Sequence, residues 1–360
     1  MTRLVGILPT GDNAGHWPPQ RANNTIFTLA VTRILISKGG TGTKNNQEAL
    51  AQSGAITKLI DLALSDDPPS SVSAPALHAC ADLLRGNYNV QAYFSTFLVT
   101  SPVVEESRTS TPVPHRRSGS SEKKRSIPQM LVLDALVAMA LTSVAPYTYD
   151  QRLAASQCLQ GFIHNNAEGR EGLLERMIET YQDDQPLETP QPHNLLFYIL
   201  NLDETTRKDP YRVWFACTVL LHLLHSSERC KEMMREISIG DTASGEEPVS
   251  ALQQINANLS STLLNSYDPR IAVGYLMLLT IWLYEDTQSV IEFLEEGSGI
   301  QTLVGSVAQG RDGIYVTGLA AILLGVCIEF NSPISSIPPY PLTSNNADIV
   351  PVFKNSLLPV

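Results

Sequence analysis

Asp209-Pro210-Tyr211-Arg212-Val213-Trp214-Phe215-Ala216-Cys217-Thr218 opens a run that continues to Leu224, and its reading decides the fold. Val213, Cys217, Leu220, Leu221 and Leu224 fall at i, i+4, i+7, i+8 and i+11, a helix stripe with no competing strand pattern. The Asp-Pro pair marks its start. The carboxylate can accept from an orphan N–H, and proline at the first helical position has no N–H to lose. The same opening recurs at Asp268-Pro269-Arg270-Ile271-Ala272-Val273 and, without proline, at Asp150-Gln151-Arg152-Leu153-Ala154-Ala155. Each aspartate lies 59 residues from the next. Ile271, Tyr275, Leu278, Leu279 and Trp282 repeat the stripe at the same offsets.

A polar break follows each stripe, at Asn165-Asn166, Ser226-Ser227 and Asp286-Thr287. A second, amphipathic helix comes next, over Arg170–Tyr181, Arg229–Ile237 and Gln288–Glu295. Gly54-Ala55-Ile56-Thr57-Lys58-Leu59-Ile60 and Gly299-Ile300-Gln301-Thr302-Leu303-Val304 read as a glycine that ends one helix and releases the next. Near the start, the helix Ile26–Ile36, the loop Gly39–Asn46 and the helix Gln47–Gln52 keep the same order. Helix, turn, helix, glycine, helix is the grammar of an all-α, armadillo-like helical repeat solenoid. A plain bundle would show stripes without the repeated order.

The expected organisation is repeats over 1–102, a Ser/Pro/basic insertion without fixed fold over 103–126, repeats again over 127–331, and a Pro/Ser-rich tail over 332–360. The insertion holds the basic cluster Arg116–Arg125, read as a solvated loop and a phosphorylation target. Asp183–His193 reads as an acidic, proline-rich linker into a short helix, Asn194–Leu202.

Hydrophobic residues make up 43% of the 360 and charged residues 17%, enough to bury a large core. The net charge of −11 argues against phosphate-backbone binding and against a basic, membrane-hugging surface. Ile271–Tyr284 and Val316–Ile328 carry no charge, but both fall short of the roughly 20 apolar residues that cross a bilayer. Both read as central buried helices. The opening MTRLVGILPTGDN has too short an apolar run for a signal peptide and no convincing cleavage site, so the glycosylation acceptor patterns at Asn23 and Asn258 are expected to mean little.

No set of residues proposes a reaction. The five cysteines (Cys80, Cys158, Cys217, Cys230 and Cys327) form no CxxC pair and suit a reducing compartment. Lys38-Gly39-Gly40-Thr41-Gly42-Thr43-Lys44 lacks the strand, the spacing and the Ser or Thr of a phosphate loop, because Asn45 follows the lysine. His222 and His225 share a helix face without HExxH or paired cysteine, and read as packing side chains. The expected catalytic, metal and cofactor residues are therefore none.

Asp209–Ala216, with Leu220-Leu221-His222-Leu223-Leu224, resembles the globular head of the general vesicular transport factor family, the Uso-type vesicle tethers. The resemblance extends through Gly86–Phe94, Ile281-Trp282-Leu283, Gly318–Val326 and Phe330-Asn331. It implies an armadillo-fold head that docks proteins during transport from endoplasmic reticulum to Golgi and within the Golgi. Implied partners are a Rab-family small GTPase, SNAREs, the oligomeric Golgi tethering complex and golgins. It also implies a homodimer, a cytoplasmic location peripheral to Golgi and vesicle membranes, and no catalysis or cofactor. Family members carry head repeats upstream of the region matching Met1 and a long coiled coil, for which no heptad run exists here. After Asn331 the chain departs from the family, so a partial head is expected. Two other readings stay open: a generic armadillo adaptor in nuclear transport or degradation, and a hydrolase or transferase.

Overall fold

The computed structural model describes residues 2–8, 17–37, 40–65, 67–100, 129–142, 147–182, 194–240, 247–295, 298–310 and 313–331. The expected insertion at 103–126, the basic cluster within it, the linker Asp183–His193 and the tail at 332–360 lie outside the described residues.

After a short helix α1 (Thr2–Ile7), the described residues form five units of a long, a second and a third helix. The first is α2 (Pro19–Ile36), α3 (Thr43–Gln52) and α4 (Ala55–Leu64). The second is α5 (Ser70–Leu84), α6 (Tyr88–Ser95) and α7 (Val132–Leu141). The third is α8 (Tyr149–Ile163), α9 (Ala167–Gln182) and α10 (Leu195–Leu200), trailed by α11 (Glu204–Lys208). The fourth is α12 (Pro210–Leu224), α13 (Glu228–Arg235) and α14 (Ala251–Leu264). The fifth is α15 (Pro269–Leu283), α16 (Thr287–Glu295) and α17 (Ser298–Gln309), and α18 (Ile314–Phe330) closes the stack.

Each long helix packs beside the next, in the order α2, α5, α8, α12, α15, α18, and each third helix lies on the long helix of the following unit. One continuous core results, running from Val5 to Cys327. No unit could bury its apolar face alone, which is the physical basis of a solenoid. Two short antiparallel ladders interrupt the helices at the same station of two units. β1 (Leu98–Thr100) pairs with β2 (Gln129–Leu131) between α6 and α7, and β3 (Ser238–Ile239) with β4 (Val249–Ser250) between α13 and α14.

The helix starts differ in part from the expectation. Only Asp268 caps as foreseen, its Oδ1 accepting from the Arg270 N–H at 3.0 Å. Asp150 is not a cap. Thr148 holds that place in a reciprocal capping box with Gln151. Asp209 stands at the cap position of α12 without bonding its N–H groups, because Arg152 takes the carboxylate. The true equivalents are thus Thr148, Asp209 and Asp268, and the first repeat offset is two residues longer than the aspartates suggested.

Two other expectations are corrected. Gly54 has the left-handed φ of 78° that a terminator needs, but Gly299 lies inside α17. A Cβ at Gly299 would sit 2.2 Å from Asn256 Oδ1, so the position is small for packing. The 271–284 segment is mostly buried, with Val273 and Ile281 half-buried and Tyr284 exposed, whereas α18 leaves Ile314, Tyr315 and Ile328 about four-fifths exposed. Among the described residues no helix is long and apolar enough to cross a membrane.

The contact of α5 with α8 depends on one glycine. A Cβ on Gly161 of α8 would lie 2.6 Å from the Ala81 carbonyl oxygen of α5, a backbone atom that cannot step aside. Gly161→Ala is therefore expected to destabilise the chain by about 1–3 kcal/mol, read as a lower denaturation midpoint. An unchanged midpoint would show that α5 and α8 can part freely.

Candidate protein-docking surface

The long helices end in a turn that recurs in four units. Gly86, Asn165, Ser226 and Glu285 adopt positive φ of 71°, 53°, 54° and 55°, and turn the chain into the second helix. The next residue caps that helix: Asn87 accepts from Val90 N, Asn166 from Gly169 N, Ser227 from Cys230 N and Asp286 from Ser289 N.

A side chain in the second helix of each of the first four units then reaches forward to the next unit. Gln47 Nε2 donates to the Asp82 and Arg85 carbonyls at 2.8 and 3.2 Å, and Gln91 Nε2 to those of Gly161 and His164 at 3.2 and 2.9 Å. Arg170 Nη1 donates to the His225 carbonyl at 2.6 Å, and Lys231 Nζ to that of Tyr284 at 2.5 Å. In all four cases an accepting carbonyl is that of the residue just before the positive-φ turn. These carbonyls have no partner within their helix, and leaving such a group buried and bare costs about 1–3 kcal/mol. Burial holds the Arg170 and Lys231 pKa values below the usual range, while Asp286 nearby opposes the shift at Lys231. Around the first of these turns lies an open recess of about 410 Å³, lined by Lys44, Arg85, His164 and Asn165.

The opposite ends of the same helices carry the aromatic and basic side chains. The Tyr149 ring lies 5.0 Å from that of Tyr211, and the Arg270 guanidinium sits 4.4 Å above Tyr211. Arg270 also grips Asp268 with two bonds, of 2.8 and 2.7 Å, which holds the Asp268 carboxyl below its ordinary pKa. Beneath this row Arg152 pairs with Asp209 at 3.0 Å, donates to the Ala140 carbonyl at 3.0 Å, and lies 5.2 Å over Phe215. Tyr149 is 38% exposed and the Arg270 side chain 43%, so the row is open to a partner while its base is locked. Trp214 lies half-buried beside it, edge-on to Phe215. Tyrosine, tryptophan and arginine are the residues that most often anchor protein interfaces.

The remaining sequence candidates are packing groups. All five cysteines are buried and free. The bond to Cys80, then burial, raises the Cys158 thiol, and burial pushes Cys327 up to about 11, so neither is a ready nucleophile. His225 ends α12, its carbonyl taken by Arg170, and His222 lies half-buried on the same helix. Among the described residues no group of three His, Cys, Asp or Glu could hold a metal ion. The acceptor pattern at Asn258 is closed, because its Nδ2 donates to the Ile199 and Leu200 carbonyls inside the core. Reading the sequence missed Gln47, Gln91, Arg170 and Lys231. The signal available was a long polar residue four places after each cap in three of the four units.

A one-dimensional stack of three-helix units with buried thiols and an open aromatic-arginine row defines an all-α, armadillo-like scaffold. Residues 87–344 match the family described as Uso1 / p115 like vesicle tethering protein, head region, and the chain belongs to that family. It is 26% identical to the intracellular protein transport protein USO1 of Saccharomyces cerevisiae, over 94% of this chain and 20% of that protein. It is 25% identical to the human general vesicular transport factor p115, over 91% of this chain and 31% of that protein. The chain thus spans between a fifth and a third of the length of these relatives. A crystal structure of Uso1 superposes with a TM-score of 0.74 at 25% identity, over 92% of this chain and 48% of that one.

Replacing Arg170 with methionine keeps the apolar stem and removes the donor. The expected loss is about 1–3 kcal/mol of stability, with faster amide exchange at the Ser226–Cys230 turn. Unchanged exchange there would mean the His225 carbonyl is satisfied by water.

Proposed function

We propose that this chain docks proteins at transport vesicles and Golgi membranes, as part of the head of a vesicle tether. The observation that carries the reading is the family match over residues 87–344. The proposed partners are a Rab-family small GTPase, SNAREs, the oligomeric Golgi tethering complex and golgins. The proposed steps are transport from endoplasmic reticulum to Golgi and within the Golgi. The role is binding without catalysis, and no cofactor enters it. Membrane contact is indirect, from the cytoplasmic side, since a net charge of −11 gives little attraction to anionic lipid.

The physical support is the row of Tyr149, Tyr211 and Arg270. These side chains are held in place before any partner arrives, so little rotamer entropy is lost on binding. Immobilised chain is expected to retain purified Golgi SNARE cytoplasmic domains or a GTP-loaded Rab protein. The double variant Tyr211→Ala/Arg270→Ala, with its helical signal intact, should bind at least about tenfold more weakly. Failure of the unaltered chain to retain any of these proteins would overturn the reading. Equal binding by the double variant would move the site away from the row.

A further inference from the structure

The turn Gly40-Thr41-Gly42-Thr43-Lys44 lacks the spacing of a phosphate loop, yet it brings the start of α3 to the recess of about 410 Å³ at the first joint. Three successive units build that recess. Lys44 comes from α3, Arg85 from just past the end of α5, and His164 from just past the end of α8. Neither the Lys44 ammonium nor the Arg85 guanidinium has a hydrogen-bond or ion-pair partner among the described residues. Asp82, the acid in the recess wall, is already held by Arg33 at 2.7 Å. Glu48 lies four residues from Lys44, and among the described residues no ion pair joins the two. A chain of net charge −11 thus gathers unneutralised positive charge in one concavity.

The start of α3 adds two more donors. Gly42 at its cap position has no side chain, and Thr43 turns its hydroxyl back to donate to the Gly40 carbonyl at 2.9 Å. The N–H groups of Lys44 and Asn45 are left without an acceptor among the described residues, and both residues line the recess. The walls are fixed in advance, because Gln47 bonds the Arg85 carbonyl and Gln91 that of His164. A Cβ on Gly86 would lie 3.8 Å from His164 Cδ2, so the turns that carry Arg85 and His164 touch. Free N–H groups at a helix start, joined by cations from other elements, suit a phosphate group, with its three acceptor oxygens and nearly two negative charges. A carboxylate offers fewer oxygens and half the charge.

We propose that this recess holds a phosphorylated side chain of a docked protein. A second recess, of about 370 Å³, adjoins the first and shares Lys44 and Asn165 with it. There Asn89 and Asn165 present exposed amides that can bond an extended backbone, and Tyr88 is 52% exposed beside them. The polypeptide that flanks the phosphate therefore has a place to lie, which a free anion would leave empty. An anionic bilayer carries similar groups, but the net charge of −11 opposes its approach. The site is separate from the row of Tyr149, Tyr211 and Arg270, so either can fail without the other.

The test is retention, on the immobilised full chain, of a synthetic peptide library with one fixed phosphoserine flanked by random residues. The same library with serine in that place is the control. Phosphoserine peptides are expected to be held at least about tenfold more strongly, and Arg85→Gln and Lys44→Gln should each lose about tenfold of that retention. Thermal melts of each variant check that it is folded. Equal retention of the two libraries would overturn the proposal, as would an undiminished preference for phosphoserine in both variants. Two further arms separate the other sources of the same group. Capture of phosphatidylcholine vesicles containing a phosphoinositide, without capture of phosphopeptides, would make the recess a lipid site and overturn its assignment to a protein. Binding of inorganic phosphate alone would overturn it in favour of a free anion.

Discussion

The carbonyl groups at the ends of the long helices govern how this protein holds together. A helix must leave its last carbonyls without internal partners, and a solenoid buries those ends against the neighbouring unit. Here the neighbour supplies the missing donor: Gln47, Gln91, Arg170 and Lys231 each cross to the following long helix. Hydrophobic contact between the helices is large but non-directional, and would tolerate sliding by a turn. A directed bond to one carbonyl does not. The apolar core therefore provides most of the stabilisation, while the crossing side chains fix the register of one unit on the next.

The helix starts satisfy the same requirement by varied means. Thr148 and Ser250 use capping boxes, Asp268 bonds its own helix, and Asp209 surrenders its carboxylate to Arg152. That exchange converts a local cap into a cross-link between α8 and α12. It also fixes the floor on which Tyr149, Tyr211 and Arg270 stand, so that row is stiff because a buried ion pair underlies it. Register is thus set at one end of the long helices, and the most open anchoring side chains sit at the other.

Much of the fold could be read directly from the chain. The stripe of Val213, Cys217, Leu220, Leu221 and Leu224 placed α12, and its echo in Ile271–Trp282 placed α15, because helix periodicity is a local property. The repeat was found through Asp150, Asp209 and Asp268, yet the first is out of register by two residues. The cap position accepts several side chains, and Thr148 serves as well as aspartate. Gly299 was misread because a small residue can mark a turn or a tight contact, and only Asn256, 43 residues earlier, decides which. The crossing donors were illegible for the same reason. Their acceptors lie 35 to 73 residues away and are backbone atoms, which carry no sequence signature. The exposed face of α18 was hidden too, since an apolar helix looks alike whether one or both sides are covered.

The two strand ladders have a separate significance. β1 and β2 pair Thr100 with Gln129, and β3 and β4 pair Ile239 with Val249, each between the second and third helices of a unit. A ladder holds its two ends a fixed distance apart whatever chain joins them. Length can therefore change at these stations without moving α6 against α7 or α13 against α14. The stack has, in effect, two ports at which the joining chain can grow or shrink while the helices on either side keep their spacing.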